Sequence, residues 1–228
     1  MLKTIFFDLD DTLLDFTRAE AGALRRVLTE VDAPAGDSVL QRYHVINAAQ
    51  WELLEEGKLT RDEVLVRRFA LLFAELGLKR SAEAVCGRYE EYLKEGRWLL
   101  PGVPDLLETL SSRYALYVAS NGSSAVQHRR LDASGLRPWF QGIFISEEIG
   151  FDKPSSAFFD ACFAAIPGFS KETALMIGDS LTSDIRGGRN AGLRTCWFNS
   201  QGKPRRADIQ PDYEIAALEE LPELLASL

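Results

Sequence analysis

Short apolar runs and longer helical periodicities divide this chain between them. Unbroken apolar runs at residues 4–7, 115–119, 143–145, 174–177 and 195–198 have the length of buried strands, and 213–215 is a further candidate. From residue 104 onward the runs alternate with helical patterns at 104–110, 124–133, 156–166 and 183–191. Strands that are apolar on both faces and joined by helices predict an α/β core with a parallel sheet covered on both sides.

The stretch over residues 16–96 breaks this rhythm and contains no convincing strand. Leu40, Tyr43, His44, Asn47, Trp51 and Leu54 recur at helical spacing, as do Val64, Arg67, Arg68, Leu71, Leu72 and Glu75. Gly57 and Gly77 fall where helices can end, and Thr60-Arg61-Asp62-Glu63 has the capping-box pattern. An all-helical insert after the first strand reads as a separate cap domain, residues 16–96. The α/β core is then made of residues 1–15 and 97–228. Pro101-Gly102-Val103-Pro104 marks the return into it.

Composition narrows the function classes. The chain has 228 residues, 46% hydrophobic and 26% charged, which is enough to bury a core. A formal net charge of -8 argues against a nucleic-acid polymer as partner, because phosphate-backbone binders show a basic footprint. A small anionic substrate remains compatible where a local cation reverses the field. Cys86, Cys162 and Cys196 make neither a disulfide framework nor a metal pattern, and read as buried thiols in a reducing cytosol. The N-terminus meets acids too early for a signal peptide, and no apolar run approaches the roughly 18 residues of a membrane span. The expectation is a cytoplasmic protein with no membrane partner.

Candidate chemistry lies at the ends of the apolar runs. Asp8 and Asp10 follow Ile5-Phe6-Phe7, and carboxylates buried there need a cation or a reaction to justify them. One can serve as nucleophile and the other as acid/base, with a divalent cation to relieve their repulsion. An Asp-rich turn after a strand is the plainer alternative. Ser120-Asn121-Gly122 ends the next run; a hydroxyl and nearby N–H groups suit a phosphoryl oxygen, and an ordinary strand-to-helix turn fits as well. Lys153-Pro154 can supply an ammonium to a transferring phosphoryl group or be a solvated lysine. Gly178-Asp179 and Asp184 follow a further run. Asp179 can complete a metal site and Asp184 can orient a ligand from behind, though a first-turn acid is also favoured by the helix dipole. Their order matters more than any one of them, since a parallel sheet puts such strand ends on one edge.

With these motifs in this order, the chain resembles the haloacid dehalogenase superfamily of phosphohydrolases over its whole length, including the helical insert and the Pro-Gly-Val return. The resemblance implies a Rossmann-like sheet. It assigns attack on phosphorus to Asp8 and acid/base work to Asp10. Ser120, with Asn121 beside it, and Lys153 would hold the phosphoryl oxygens. Mg²⁺ would be bound by the Asp8 carboxylate, the Asp10 backbone carbonyl and Asp179, with Asp184 near or behind it. Glu147-Glu148-Ile149-Gly150, Asn190-Ala191-Gly192-Leu193, Thr195-Cys196-Trp197, Tyr43-His44-x2-Asn47-x3-Trp51 and Arg68-Phe69 look like the pyrimidine 5′-nucleotidase group. That likeness implies nucleoside monophosphates as substrates, and His44, Asn47, Trp51, Arg68 and Phe69 as candidate base contacts. Packing in the helical core is the competing role for His44, Trp51 and Phe69, and a solvated face is the competing role for Arg68.

Two-step in-line transfer through an aspartyl-phosphate is the mechanism these roles imply. Several rivals share the motifs only in part. Dehalogenation needs neither Asp10 nor Asp179. A phosphatase for sugar phosphates or other small monoesters, or a phosphomutase, keeps the motifs and changes the substrate. A phospho-accepting signalling module would be much shorter, and a catalytically dead binding protein would have lost a motif acid.

Overall fold

The computed structural model describes all 228 residues, Met1–Leu228. In chain order the elements are β1 (Thr4–Phe7), α1 (Phe16–Glu30), α2 (Asp37–Glu55), α3 (Arg61–Glu75), α4 (Ala82–Leu93), α5 (Val103–Ser111), β2 (Ala115–Ser120), α6 (Ser124–Ser134), β3 (Gly142–Ile145), α7 (Ser146–Ile149), α8 (Ser156–Ala164), β4 (Ala174–Gly178), α9 (Arg186–Asn190), β5 (Arg194–Phe198), β6 (Tyr213–Ile215) and α10 (Leu221–Ala226). The chain divides into two compact units, Met1–Asp15 with Trp98–Leu228, and Phe16–Arg97. No helix is long and apolar enough to cross a membrane.

In the first unit six strands form one parallel sheet in the order β3-β2-β1-β4-β5-β6. This is the order of dinucleotide-binding α/β folds, whose ligands sit beyond the carboxyl ends of the strands where the order reverses. Alternation along each strand sends neighbours to opposite layers. Ile5, Phe7, Val118 and Ile177 pack with Leu106, Leu107 and Leu131 on one face. Phe6, Ala119 and Met176 pack with Phe158, Phe159 and Cys162 on the other. Both faces are therefore covered, which is why the strands read as continuous apolar runs. At the return from the second unit Gly102 takes a left-handed φ of 77°, which a side chain would resist, and Pro104 sits in the first turn of α5.

The expected helix at 183–191 starts differently. A π-type turn over Leu181–Ile185 precedes α9. The Ser180 hydroxyl accepts from Ser183 N–H at 3.1 Å, and the Ser180 carbonyl accepts from the N–H groups of both Asp184 and Ile185. That widened turn leaves Asp184 fully buried.

The second unit is helical throughout. α1 packs on α4 and α2 on α3. Its core holds Leu24, Val27, Tyr43, Val64, Phe69, Leu72 and Tyr89. Thr60 caps α3 in the expected box, its hydroxyl accepting from Glu63 N–H at 3.3 Å while its own N–H donates to Glu63 Oε2 at 2.8 Å.

Candidate active site

Register carries the motif residues to one edge of the sheet. Phe7 pairs with Val118 on one side and Ile177 on the other. One step further, Asp8 leaves β1 with its N–H still bonded to the Ile177 carbonyl at 2.9 Å. Ser120 ends β2, and Asp179 follows β4. β1 and β4 are the strands on either side of the reversal in strand order.

Lys153 ties this edge together. Its Nζ donates to Asp8 Oδ1 at 2.7 Å, to Asp184 Oδ1 at 2.6 Å and to the Ala119 carbonyl at 2.6 Å. The residue is 1% exposed, so the reading as a solvated lysine is excluded. Burial works to lower its ammonium pKa, but Asp184 and Asp8 outweigh that and hold it above the ordinary lysine value. Burial pushes the Asp8 carboxyl well up. Lys153 draws it back, and Asp184, Asp10 and Asp179 push it up again. Asp184 spends its other oxygen on Ser180 N–H at 3.0 Å. A Cβ on Gly178 would run into the Asp184 carboxyl, so glycine is required before Asp179.

The Asn121 side chain is bound to the loop that carries Lys153. Its Nδ2 donates to the Lys153 carbonyl and its Oδ1 accepts from Lys153 N–H, both at 2.8 Å. The side chain thus anchors the lysine loop.

Asp10 is held by two residues that the sequence reading passed over. Gln127 Nε2 donates to Asp10 Oδ2 at 2.7 Å and to Ser120 Oγ at 2.8 Å, and Arg130 Nη1 donates to Asp10 Oδ1. The only available signal was their helical spacing after Ser120-Asn121-Gly122. Thr12 is fully buried, and its hydroxyl accepts from Asp179 N–H at 3.1 Å. Trp197 Nε1 donates to the Asp179 carbonyl at 2.9 Å, and Lys203 Nζ to Asp179 Oδ2 at 3.0 Å. Burial pushes the Asp179 carboxyl up to about 7, against the pull of Lys203.

The donor set fits Mg²⁺. Carboxylate oxygens of Asp8, Asp179 and Asp184 all lie within 4.8 Å of one another, and hard oxygen ligands are what that ion takes. The four acids Asp8, Asp10, Asp179 and Asp184 face three cations, Lys153, Arg130 and Lys203. Fully ionised, the cluster keeps a surplus of negative charge, which favours a bound cation.

Four of the five helical-unit candidates form one hydrogen-bonded group. Asn47 donates to Glu20 Oε1 at 2.7 Å, and its Oδ1 accepts from Arg68 Nη1 and Trp51 Nε1, both at 3.1 Å. His44 Nδ1 lies 2.6 Å from the other Glu20 oxygen. Asn47 and Arg68 are buried, Trp51 is half-buried and His44 is exposed. Phe69 is fully buried, 5.1 Å from the Tyr43 ring and 5.3 Å from Tyr89, so it packs the core of its unit and offers no face to a ligand.

Comparison with known proteins gives consistent matches. A model of the haloacid dehalogenase-like hydrolase family covers residues 2–192. The pyrimidine 5′-nucleotidase PynA of Streptococcus pneumoniae is 41% identical over 98% of this chain and 94% of its own length. The pyrimidine 5′-nucleotidase YjjG of Escherichia coli is 32% identical over 97% of this chain and 96% of its own. The magnesium-bound crystal structure of the HAD-hydrolase YfnB from Bacillus subtilis is 45% identical, covers 98% of both chains and superposes with a TM-score of 0.95.

Proposed function

The chain belongs to the haloacid dehalogenase-like hydrolase family, and we propose that it hydrolyses phosphomonoesters through an aspartyl-phosphate, with pyrimidine nucleoside 5′-monophosphates as preferred substrates. The observation that carries the reaction class is the buried Lys153 ammonium, 2.7 Å from Asp8 Oδ1 at the end of β1. The nucleotide preference rests on the kinship to PynA and YjjG.

Asp8 attacks phosphorus in line, and Asp10 gives its proton to the leaving alcohol. Asp10 then takes a proton from the water that cleaves the aspartyl-phosphate. Ser120 Oγ and the Asn121 N–H donate to the phosphoryl oxygens. Lys153 neutralises part of their charge. Mg²⁺ would be held by the Asp8 carboxylate, the Asp10 backbone carbonyl and Asp179, with Asp184 beside them, and would supply positive charge that screens Asp8 from the dianionic substrate.

The helical unit acts as the cap that selects the substrate. His44 and Trp51 retain exposed edges for a base, while Asn47 and Arg68 set their orientation from inside and Phe69 supports them by packing. Three free, buried cysteines fit a reducing, cytoplasmic setting. The test is a panel of nucleoside and sugar monophosphates ranked by kcat/KM. Pyrimidine monophosphates are expected to lead, and Asp8→Asn is expected to abolish turnover. If sugar phosphates lead, the nucleotide assignment falls. If Asp8→Asn stays active, the mechanism falls.

A further inference from the structure

α6 carries two buried side chains that both end on Asp10. Gln127 and Arg130 are three residues apart, on one face of the helix, and each is 1% exposed. Gln127 Nε2 lies 2.7 Å from Asp10 Oδ2, Arg130 Nη1 contacts Asp10 Oδ1, and Arg130 Nη1 also lies 3.0 Å from Gln127 Oε1. Asp10 itself keeps 28% of its side chain exposed. A guanidinium and an amide have thus been taken out of water to grip a carboxylate that still faces it. Burying an arginine is unfavourable unless its partner compensates, so this is a costly way to hold a surface acid.

The surroundings are shaped to the same end. A Cβ on Gly122 would lie 2.5 Å from both Cγ and Nε2 of Gln127, so glycine after Ser120-Asn121 opens the path that Gln127 crosses. The first turn of α6 is fastened from outside: Ser124 N–H donates to Glu147 Oε2 at 2.6 Å and Ser124 Oγ to Glu148 Oε1 at 2.5 Å. Two acids at a helix N-terminus also complement its dipole.

From these contacts we infer that Gln127 and Arg130 are positioning residues for proton transfer by Asp10, and that Gln127 couples that acid to the phosphoryl-binding hydroxyl of Ser120. The inference rests on the phosphohydrolase reading above. A carboxylate offers about four lone-pair sites. Arg130 and Gln127 occupy one on each oxygen and fix the plane of the group, so a remaining site carries the proton in a set direction. In the first step an Asp8 oxygen forms its bond to phosphorus as the bond from phosphorus to the leaving oxygen breaks. The electron pair of that broken bond takes the Asp10 proton, which leaves Asp10 as a carboxylate. Gln127 also donates to Ser120 Oγ at 2.8 Å. With that lone pair engaged, the Ser120 hydroxyl has its own proton free for a phosphoryl oxygen.

A series of phosphomonoesters of graded leaving group, from nitrophenyl to alkyl phosphates, separates positioning from mere support. A good leaving group departs without a proton and an alkoxide does not, so kcat/KM of a variant with a misdirected acid falls more steeply along the series. Gln127→Ala and Arg130→Met are expected to lose about 10²-fold on alkyl phosphates, within the range of general-acid catalysis, and only a few-fold on nitrophenyl phosphate. Gly122→Ala, which displaces Gln127 without touching Asp10, is expected to follow Gln127→Ala, and both remain informative if Arg130→Met does not fold. An equal loss across the series in Gln127→Ala and Gly122→Ala would overturn the positioning role. A wild-type protein that hydrolyses no member of the series would instead overturn the phosphohydrolase reading itself.

Discussion

Lys153 and Asp184 form an ion pair that solvent does not reach: Nζ and Oδ1 are 2.6 Å apart, with side-chain exposures of 1% and 0%. Asp8 shares the same ammonium at 2.7 Å. Removing one partner from such a group leaves charge buried without compensation, at about 3–5 kcal/mol. Lys153→Met is therefore expected to lower the unfolding free energy by about that amount in urea melts. It should also reduce kcat/KM by at least about 10²-fold, as for loss of a charge-stabilising donor. A variant of native stability would show that the lysine is not the counter-ion of this cluster.

Thr12 and Asp179 lie 167 positions apart in the chain, yet the Thr12 hydroxyl is the acceptor for Asp179 N–H. Thr12→Val keeps the shape and removes the acceptor. An unmet buried N–H costs about 1–3 kcal/mol, and the loop that carries Asp179 should loosen. The expected result is a loss of stability of that order, together with a higher Mg²⁺ concentration for half-maximal activation. Thr12→Ser should restore both, and failure of that rescue would assign the effect to packing.

The central strands β1, β2 and β4 were legible because they are buried on both faces, so their apolar runs are continuous and their ends are sharp. The motif acids were legible because they break those runs at positions where burial without a reason is costly. Gln127 and Arg130 were not, because polar residues at helical spacing look the same in sequence whether they face solvent or a carboxylate far upstream. Phe69 had two open roles in the sequence, base contact or core, and its packing against Tyr43 and Tyr89 assigns it to the core. Asn121 lay within a recognisable motif, but its partner, the backbone of Lys153, is set by a register that sequence does not display.

Cys162 and Cys196 lie in the sheet core, and burial pushes both thiols up to about 12. An ordinary thiol near 8.5 is mostly thiolate at pH 9, whereas a thiol at about 12 is ionised to roughly one part in a thousand. Raising the pH from 7 to 9 should therefore leave both unreactive toward iodoacetamide in the native protein. In urea all three cysteines should label at ordinary rates. Mass spectrometry of the labelled peptides checks this, and rapid native labelling of either residue at pH 9 would contradict the buried environment.

Mg²⁺ should stabilise the protein by linkage, because its ligands come together only in the folded chain. At a hundredfold excess over Kd the gain is about 2.7 kcal/mol, and a domain of this size moves by about 2–4 °C per kcal/mol. A rise in Tm of roughly 5–10 °C is the expected reading, reversed by EDTA. Asp179→Asn removes one carboxylate charge from the proposed metal site while keeping the volume. It also gives up the pairing with Lys203, which is 44% exposed and so worth little. Burial opposes the charge on Asp179, so the metal-free variant should melt no lower than metal-free wild type. Its Mg²⁺-induced shift should nonetheless shrink to a degree or two. A variant with both a native metal-free Tm and a full Mg²⁺ shift would remove Asp179 from the metal site and leave Asp8 and Asp184 as its carboxylates.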